Sequence, residues 1–340
     1  MNSVRSVLQK FIMYFGSSLG INNYWRYRSS TAVYIIIQVL TRLILSMYVV
    51  MLVDISFGVV ELLIENNVAI HHVRYLHANI CSVVFMLILI HASKRFWMRS
   101  YQKGNLWKSR SLLLILTMGA AFLGYVLPWR NISLWGATVI TNLLSVLPYR
   151  EVILLNIWAR YTICSATLRR MFSLHFLVPL LVVGVILLHL ILLHEYVSSS
   201  GLVVNINIVE FVVLLNKDVL IWIGWIMVLL VIIVCPQYFI DADNWREANF
   251  LVTPDHIKPE WYFLFAYAIL RCIPNKSIGV VGLIGSLVVV LLIGLVNIIN
   301  MVIMFLISFM ILTWLRRLEV TSYYTSRSQY ASLLYFIFVL

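Results

Sequence analysis

Four histidines are spaced as a chemical site would need them. His77 and His91 lie in one apolar run and His175 and His189 in another, each pair separated by 14 residues. At ~100° per residue, 14 helical steps return to within ~40° of the starting face and rise ~21 Å, so each helix presents two imidazoles on one stripe, near opposite membrane surfaces. If the two helices face each other, His77 pairs with His175 and His91 with His189, giving two stacked sites of two imidazoles each. Two axial nitrogens suit a low-spin electron-transfer haem, whereas zinc wants three or four protein ligands and no others stand nearby. The competing reading is of polar residues satisfied by backbone or Ser/Thr groups inside a bundle. The matched pairs favour function, because ionisable groups within a membrane are functional by default.

The elements that position these residues must be membrane helices. The 340-residue chain is 62% hydrophobic and 11% charged, with a mean hydropathy of +0.96, which excludes an ordinary soluble protein and a disordered or coiled-coil chain. A helix crossing ~30 Å of hydrocarbon needs ~20 apolar residues. Runs near that length fall at roughly 31–53, 75–95, 111–128, 173–194, 219–236, 279–298, 301–315 and 327–340. The apolar stretch from Ile278 to Trp314 is too long for one span and splits near Asn297 and Asn300; the last run is short enough to half span. Arg5, Lys10, Arg26 and Arg28, then Lys94, Arg95, Arg99, Lys103, Lys108 and Arg110, fall on one side, which the basic bias makes the inside. The formal charge of +12 therefore reads as topology, and no nucleic-acid partner is expected. Residues 1–30 show no cleavable signal peptide. Cys81, Cys164, Cys235 and Cys272 form no CxxC, so neither a disulfide frame, a zinc site nor covalent haem is expected.

RYLHAN (Arg74–Asn79), GYVLPW (Gly124–Trp129), LWGATVITNLLS (Leu134–Ser145), HLILLHE (His189–Glu195) and HIKPEWYFLFAYAILRCIPNK (His256–Lys276) resemble mitochondrial-type cytochrome b, the membrane subunit of the cytochrome bc complex. The resemblance implies an all-α integral membrane protein of about eight transmembrane helices, the first four forming a two-haem four-helix bundle. Residues 1–200 would be the haem-binding part and 201–340 the C-terminal part. It implies two non-covalent b-type haems, a low-potential one on His77 and His175 toward the positive side and a high-potential one on His91 and His189 toward the matrix. The His175–His189 spacing of 14 favours the respiratory over the photosynthetic branch. PEWY would mark the quinol-oxidation site, with Glu260 as quinol partner and proton acceptor beside Tyr125, Gly136 and Tyr262. From the residues alone, Pro259 and Glu260 could equally just start a helix. His194 and Asp218, with Ser198 and Lys217, would serve quinone reduction. His194 lies about 140° round the helix from His189, and Asp218 could instead be an N-cap. Arg74 would pair with a haem propionate. The implied activity is that of a ubiquinol:cytochrome c oxidoreductase in the mitochondrial inner membrane. It would work with an iron–sulfur (Rieske-type) subunit, a cytochrome c-type haem subunit and other subunits in a homodimeric complex, and would couple electron bifurcation to proton translocation. A cofactor-free transporter relaying protons through the histidines would show broken helices and inverted repeats, and neither is clear. A structural scaffold would have no use for paired histidines.

Arginine stands at eight positions where the family pattern has glycine: Arg28, Arg42, Arg95, Arg110, Arg130, Arg160, Arg316 and Arg317. Lys94 stands where a propionate-pairing arginine is expected. Arg42 falls mid-span, where arginine costs ~2.5–3.5 kcal/mol on insertion scales. Eight substitutions of one kind suggest a common cause, with some of these arginines arising from a reassigned codon or transcript editing that conceptual translation ignores. Tryptic peptides covering positions 42 and 130 decide it: an uncleaved peptide lighter than the arginine mass is expected, and cleavage with the arginine mass sinks the idea.

Overall fold

The computed structural model describes residues 17–18, 27–97, 100–195, 208–209, 211–254, 257–293, 299–318 and 321–338. In hydrocarbon a lone segment satisfies its backbone only as a helix, and every apolar run named above falls on one. The helices are α1 (Tyr27–Ser46), α2 (Ser56–Asn66), α3 (Val68–Trp97), α4 (Gly104–Val126), α5 (Asn131–Asn142), α6 (Arg150–Trp158), α7 (Ser165–Glu195), α8 (Phe211–Val234), α9 (Leu264–Cys272), α10 (Lys276–Leu292), α11 (Ile299–Leu315) and α12 (Ser322–Ile337). The named strands among the described residues are a two-residue antiparallel pair, Ser17–Ser18 with Ile208–Val209. The chain is thus an all-α membrane protein. Among the described residues α1, α3, α4 and α7 are long and apolar enough to cross a membrane.

Two differences from the sequence expectation have physical causes. Helices α4 and α7 extend beyond their hydrocarbon runs, since exposed basic residues such as Lys108 and Arg169 continue the helix toward the headgroup layer, and α3 begins at Val68, ahead of its run, with Arg74 turned inward to Glu61 rather than out to water. Conversely, α1 stops at Ser46 although the apolar run continues to 53. Val49, Met51 and Val53 are apolar because they pack against Leu168, Met171 and Phe172. Helices α2, α5, α6 and α9 occupy connections that no span-length pattern marks. The proposed split at Asn297 and Asn300 separates α10 from α11, and Asn297 itself lies outside the described residues.

The first four long helices pack as two pairs, α1 on α3 and α4 on α7, with a cleft between the pairs. Their outer faces stay apolar and exposed, as at Ile36, Leu187 and Ile191, which suits contact with lipid. Helices α9 to α12 form a second group around Phe265, Phe305 and Tyr335, whose hydroxyl donates to the Ser286 carbonyl at 2.8 Å. This core continues into the first group through Phe85, Met118 and Tyr262. The α9–α10 corner is tight. Asn275 caps α10 by accepting from the Ser277 and Ile278 amides at 2.9 and 3.2 Å, and a Cβ at Gly279 would stand 2.8 Å from the Leu270 carbonyl oxygen. Because backbone rather than a flexible side chain stands in the way, Gly279→Ala is expected to cost about 1–3 kcal/mol, read as a lower unfolding midpoint of the detergent-solubilised protein.

Candidate functional site

The stripes of α3 and α7 meet across the cleft. His77 and His175 face each other with ring centres 6.1 Å apart and planes at 84°. Two imidazoles on one metal, each bonded at ~2.0–2.1 Å, would hold their ring centres roughly 6 Å apart, so the spacing fits a shared axial metal. The cleft measures ≈310 Å³ and is lined by Gln38, Arg42, His77, Gly124, His175 and Pro179 among others, a size in the ~300–1,000 Å³ range of cofactor sites. Among the described residues no group of three or more His, Cys, Asp or Glu could hold a metal ion. The two facing imidazoles could hold a metal whose other ligands come with a cofactor, as in a haem. His91 and His189, one stripe-length away, lie within electrostatic reach of each other and of Arg28, Arg95 and Arg110.

The imidazoles are held by groups on neighbouring helices. His77 Nδ1 is 2.9 Å from the Thr41 hydroxyl of α1, and its carbonyl accepts from Gln38 Nε2 at 2.9 Å. His175 Nδ1 is 2.9 Å from the Ala120 carbonyl of α4, and His189 Nδ1 is 2.9 Å from the Ser109 hydroxyl. Gly124 makes room for the His175 ring: a Cβ there would lie 2.5 Å from His175 Cε1. Sequence reasoning missed Thr41, Ser109 and Gly124 as supporting residues. Hydroxyls inside apolar runs, and a glycine opening GYVLPW, were the available signals.

At the His77 end, Glu61 of α2 contacts Arg130 and lies 3.8 Å from Arg74, so two guanidiniums share one carboxylate at the rim of the cleft. Trp129, with φ 51°, turns the chain out of α4. Arg130 then runs extended into α5, and its guanidinium donates to the Asn244 carbonyl at 2.9 Å. The rim keeps a positive surplus suited to a carboxylate such as a propionate.

A second, smaller cavity of ≈40 Å³ is lined by Gly136, Pro259, Phe263 and Tyr267 together with Tyr125 and Glu260, and these last two also line the large cleft. Pro259 and Glu260 do precede a turn, Trp261–Phe263, whose Phe263 amide donates to the Glu260 carbonyl at 2.9 Å. The segment thus both starts a turn and lines the small cavity. Burial pushes the Glu260 carboxyl up to about 7, Asp241 adds to the rise, and the Tyr125 hydroxyl opposes it by hydrogen bonding the carboxyl. Tyr262 is buried, stacked on Phe85 with ring centres 4.0 Å apart, and lines the large cleft rather than the small one.

His194 continues α7 beyond His189, Lys217 and Asp218 lie within α8, and Ser198 lies outside the described residues. Because α8 begins at Phe211, Asp218 sits in the helix interior, which corrects the N-cap alternative.

Two family models match: cytochrome b/b6/petB over residues 13–197 and the C-terminal cytochrome b/b6/petD over 247–336. A cytochrome b from Apis mellifera ligustica is 41% identical over 278 residues, covering 79% of this chain and 72% of that one. A hyperthermophilic respiratory Complex III chain superposes with a TM-score of 0.89 at 22% identity, covering 99% of this chain and 94% of that chain. The last likeness establishes the shared fold. Since Gly124 leaves room for the His175 ring, Gly124→Ala is expected to displace that ring and lower the haem bound per chain, measured by pyridine haemochrome; unchanged haem content would refute the role given to this glycine.

Proposed function

The chain belongs to the cytochrome b/b6 family, and from that premise we propose that it is the di-haem subunit of a ubiquinol:cytochrome c reductase in the mitochondrial inner membrane. In this reading it oxidises quinol on the positive side with electron bifurcation and reduces quinone on the matrix side, coupled to proton translocation. The observation that carries it is the facing pair His77 and His175 at 6.1 Å in a cleft that adjoins the Glu260 pocket. His77 with His175, and His91 with His189, would hold two b-type haems, which when bound supply a one-electron path across the bilayer. Residues 1–200 would be the haem-binding part and 201–340 would supply the PEWY wall. Iron–sulfur (Rieske-type) and cytochrome c-type subunits would take and hand on the electrons that leave this path, within a homodimeric complex.

The protein's own residues handle orientation and protons. Quinol oxidation must release two protons, and Glu260 can take one because burial leaves its carboxyl near neutral pH rather than fully ionised. Tyr125, beside it, limits that rise by hydrogen bonding the carboxyl. Tyr262, held by Phe85 and 3.7 Å from Cys81 Sγ, closes the wall toward the large cleft. Arg74 and Glu61 set the charge at the rim, where a haem propionate would sit. His194, Ser198, Lys217 and Asp218 would line the quinone-reduction pocket on the other side.

Two tests follow. The purified complex should show two non-covalent b haems per chain, reducible by quinol, in a dithionite-minus-ferricyanide spectrum with pyridine haemochrome quantification; a complex without haem ends this reading. An acid raised from 4.5 to about 7 is protonated below that pH, so quinol oxidation should fall about tenfold per pH unit on the acid side and level off above about 7. Glu260→Gln should abolish that limb and slow the reaction by ~10²–10⁴, and a Gln variant with the native profile would remove Glu260 from the proton path.

A further inference from the structure

We infer that the hydroxyls of Thr41 and Ser109 are positioning residues that fix the histidine tautomers, each holding a proton on Nδ1 so that Nε2 of His77 and His189 presents a bare lone pair to the bound metal. This rests on the haem reading above and deepens it. A threonine or serine hydroxyl has one hydrogen and two lone pairs. At Thr41 that hydrogen is committed, because Oγ1 lies 2.8 Å from the Ile37 carbonyl and 3.2 Å from that of Gln38. At Ser109 it is likewise committed to the Leu106 carbonyl at 2.8 Å. With the hydrogen spent, each oxygen faces its imidazole as an acceptor only, so the 2.9 Å contacts require Nδ1–H on His77 and on His189. The opposite tautomer would bring an imidazole lone pair against an oxygen lone pair at a buried contact. Both hydroxyl residues are buried, at 7% and 5% exposure. His175 reaches the same state by another route, since the Ala120 carbonyl can only accept.

The consequence is electronic as well as geometric. An imidazole that donates through Nδ1 is a more basic ligand through Nε2, and it stabilises the oxidised metal. Removing the acceptor should therefore weaken haem binding and raise the reduction potential of the haem concerned.

The test uses the purified complex carrying Thr41→Val, Thr41→Ser, Ser109→Ala or Ser109→Thr, with haem content read by pyridine haemochrome and potentials by optical redox titration. T41V is expected to weaken haem binding ~10–100-fold at the His77/His175 site and to shift that haem's potential upward, while T41S keeps both native. S109A and S109T should divide in the same way at the His91/His189 site. Native potentials and haem content in T41V and S109A would overturn the inference, as would T41S behaving like T41V, which would make the effect one of packing. If T41V does not assemble, the Ser109 pair decides. Haem absent from the unsubstituted complex defeats the haem reading itself, a result distinct from haem present with unmoved potentials.

Discussion

Hydrocarbon offers no hydrogen-bond partners, so every polar group inside the bundle must be answered from within it. That constraint orders the interior of this protein. Thr41 answers both its own helix and His77, Ser109 does the same for His189, and the Ala120 carbonyl answers His175. The Tyr34 hydroxyl reaches across to the Trp225 carbonyl at 2.8 Å and ties α1 to α8. None of these contacts needs α3 and α7 to touch. The helices instead pack as α1 on α3 and α4 on α7, and the imidazoles meet across the space between the pairs. A cleft between paired helices, rather than a filled four-helix core, is the form in which two histidine stripes can face each other with a metal's width between their rings.

How much of this was legible in the sequence depends on the length scale of the signal. The histidine pairs were legible because a 14-residue repeat is a property of one helix, and the facing of His77 and His175 follows from it once the two helices stand opposite each other across the cleft. The apolar runs located the helices, because apolar length is set by the bilayer. Helix ends were less legible: α1 stops at Ser46 because Met51 belongs to a cluster with Leu168 and Met171, more than a hundred residues away. The connections were less legible still. Helices α5 and α9 are short, yet they bring Gly136 and the PEWY segment to one small cavity. The partners of the imidazoles were hidden because Thr41 and Ser109 are unremarkable hydroxyls until two different helices are laid side by side.

Buried arginines press the same constraint harder. Arg42, Arg130 and Arg316 are all buried, and burying a guanidinium without a counter-charge is expensive. Arg130 meets Glu61, and Arg316 lies over the Tyr267 ring with 4.6 Å between guanidinium carbon and ring centre. Arg42 has less. One of its nitrogens donates to the Phe176 carbonyl at 2.8 Å and the group stacks on the Phe176 ring, while Nε and Nη2 find no hydrogen-bond partner among the described residues. With 13 acidic residues against 25 basic ones, the chain has few carboxylates to offer.

Glu260 shows why a buried acid is tolerable where a buried guanidinium is not. A carboxyl can neutralise itself by holding a proton, so burial raises it to about 7 instead of leaving an unpaired charge. An arginine has no such exit within the physiological range. The same burial that makes Glu260 affordable makes it exchange protons near neutral pH. Its position in the wall shared by the two cavities, with Tyr125 beside it, then places a group able to carry a proton against the space where the imidazoles meet. A more exposed carboxylate would stay ionised and a fully apolar wall would carry no proton, so partial burial at this boundary is the condition under which one residue can serve both chambers.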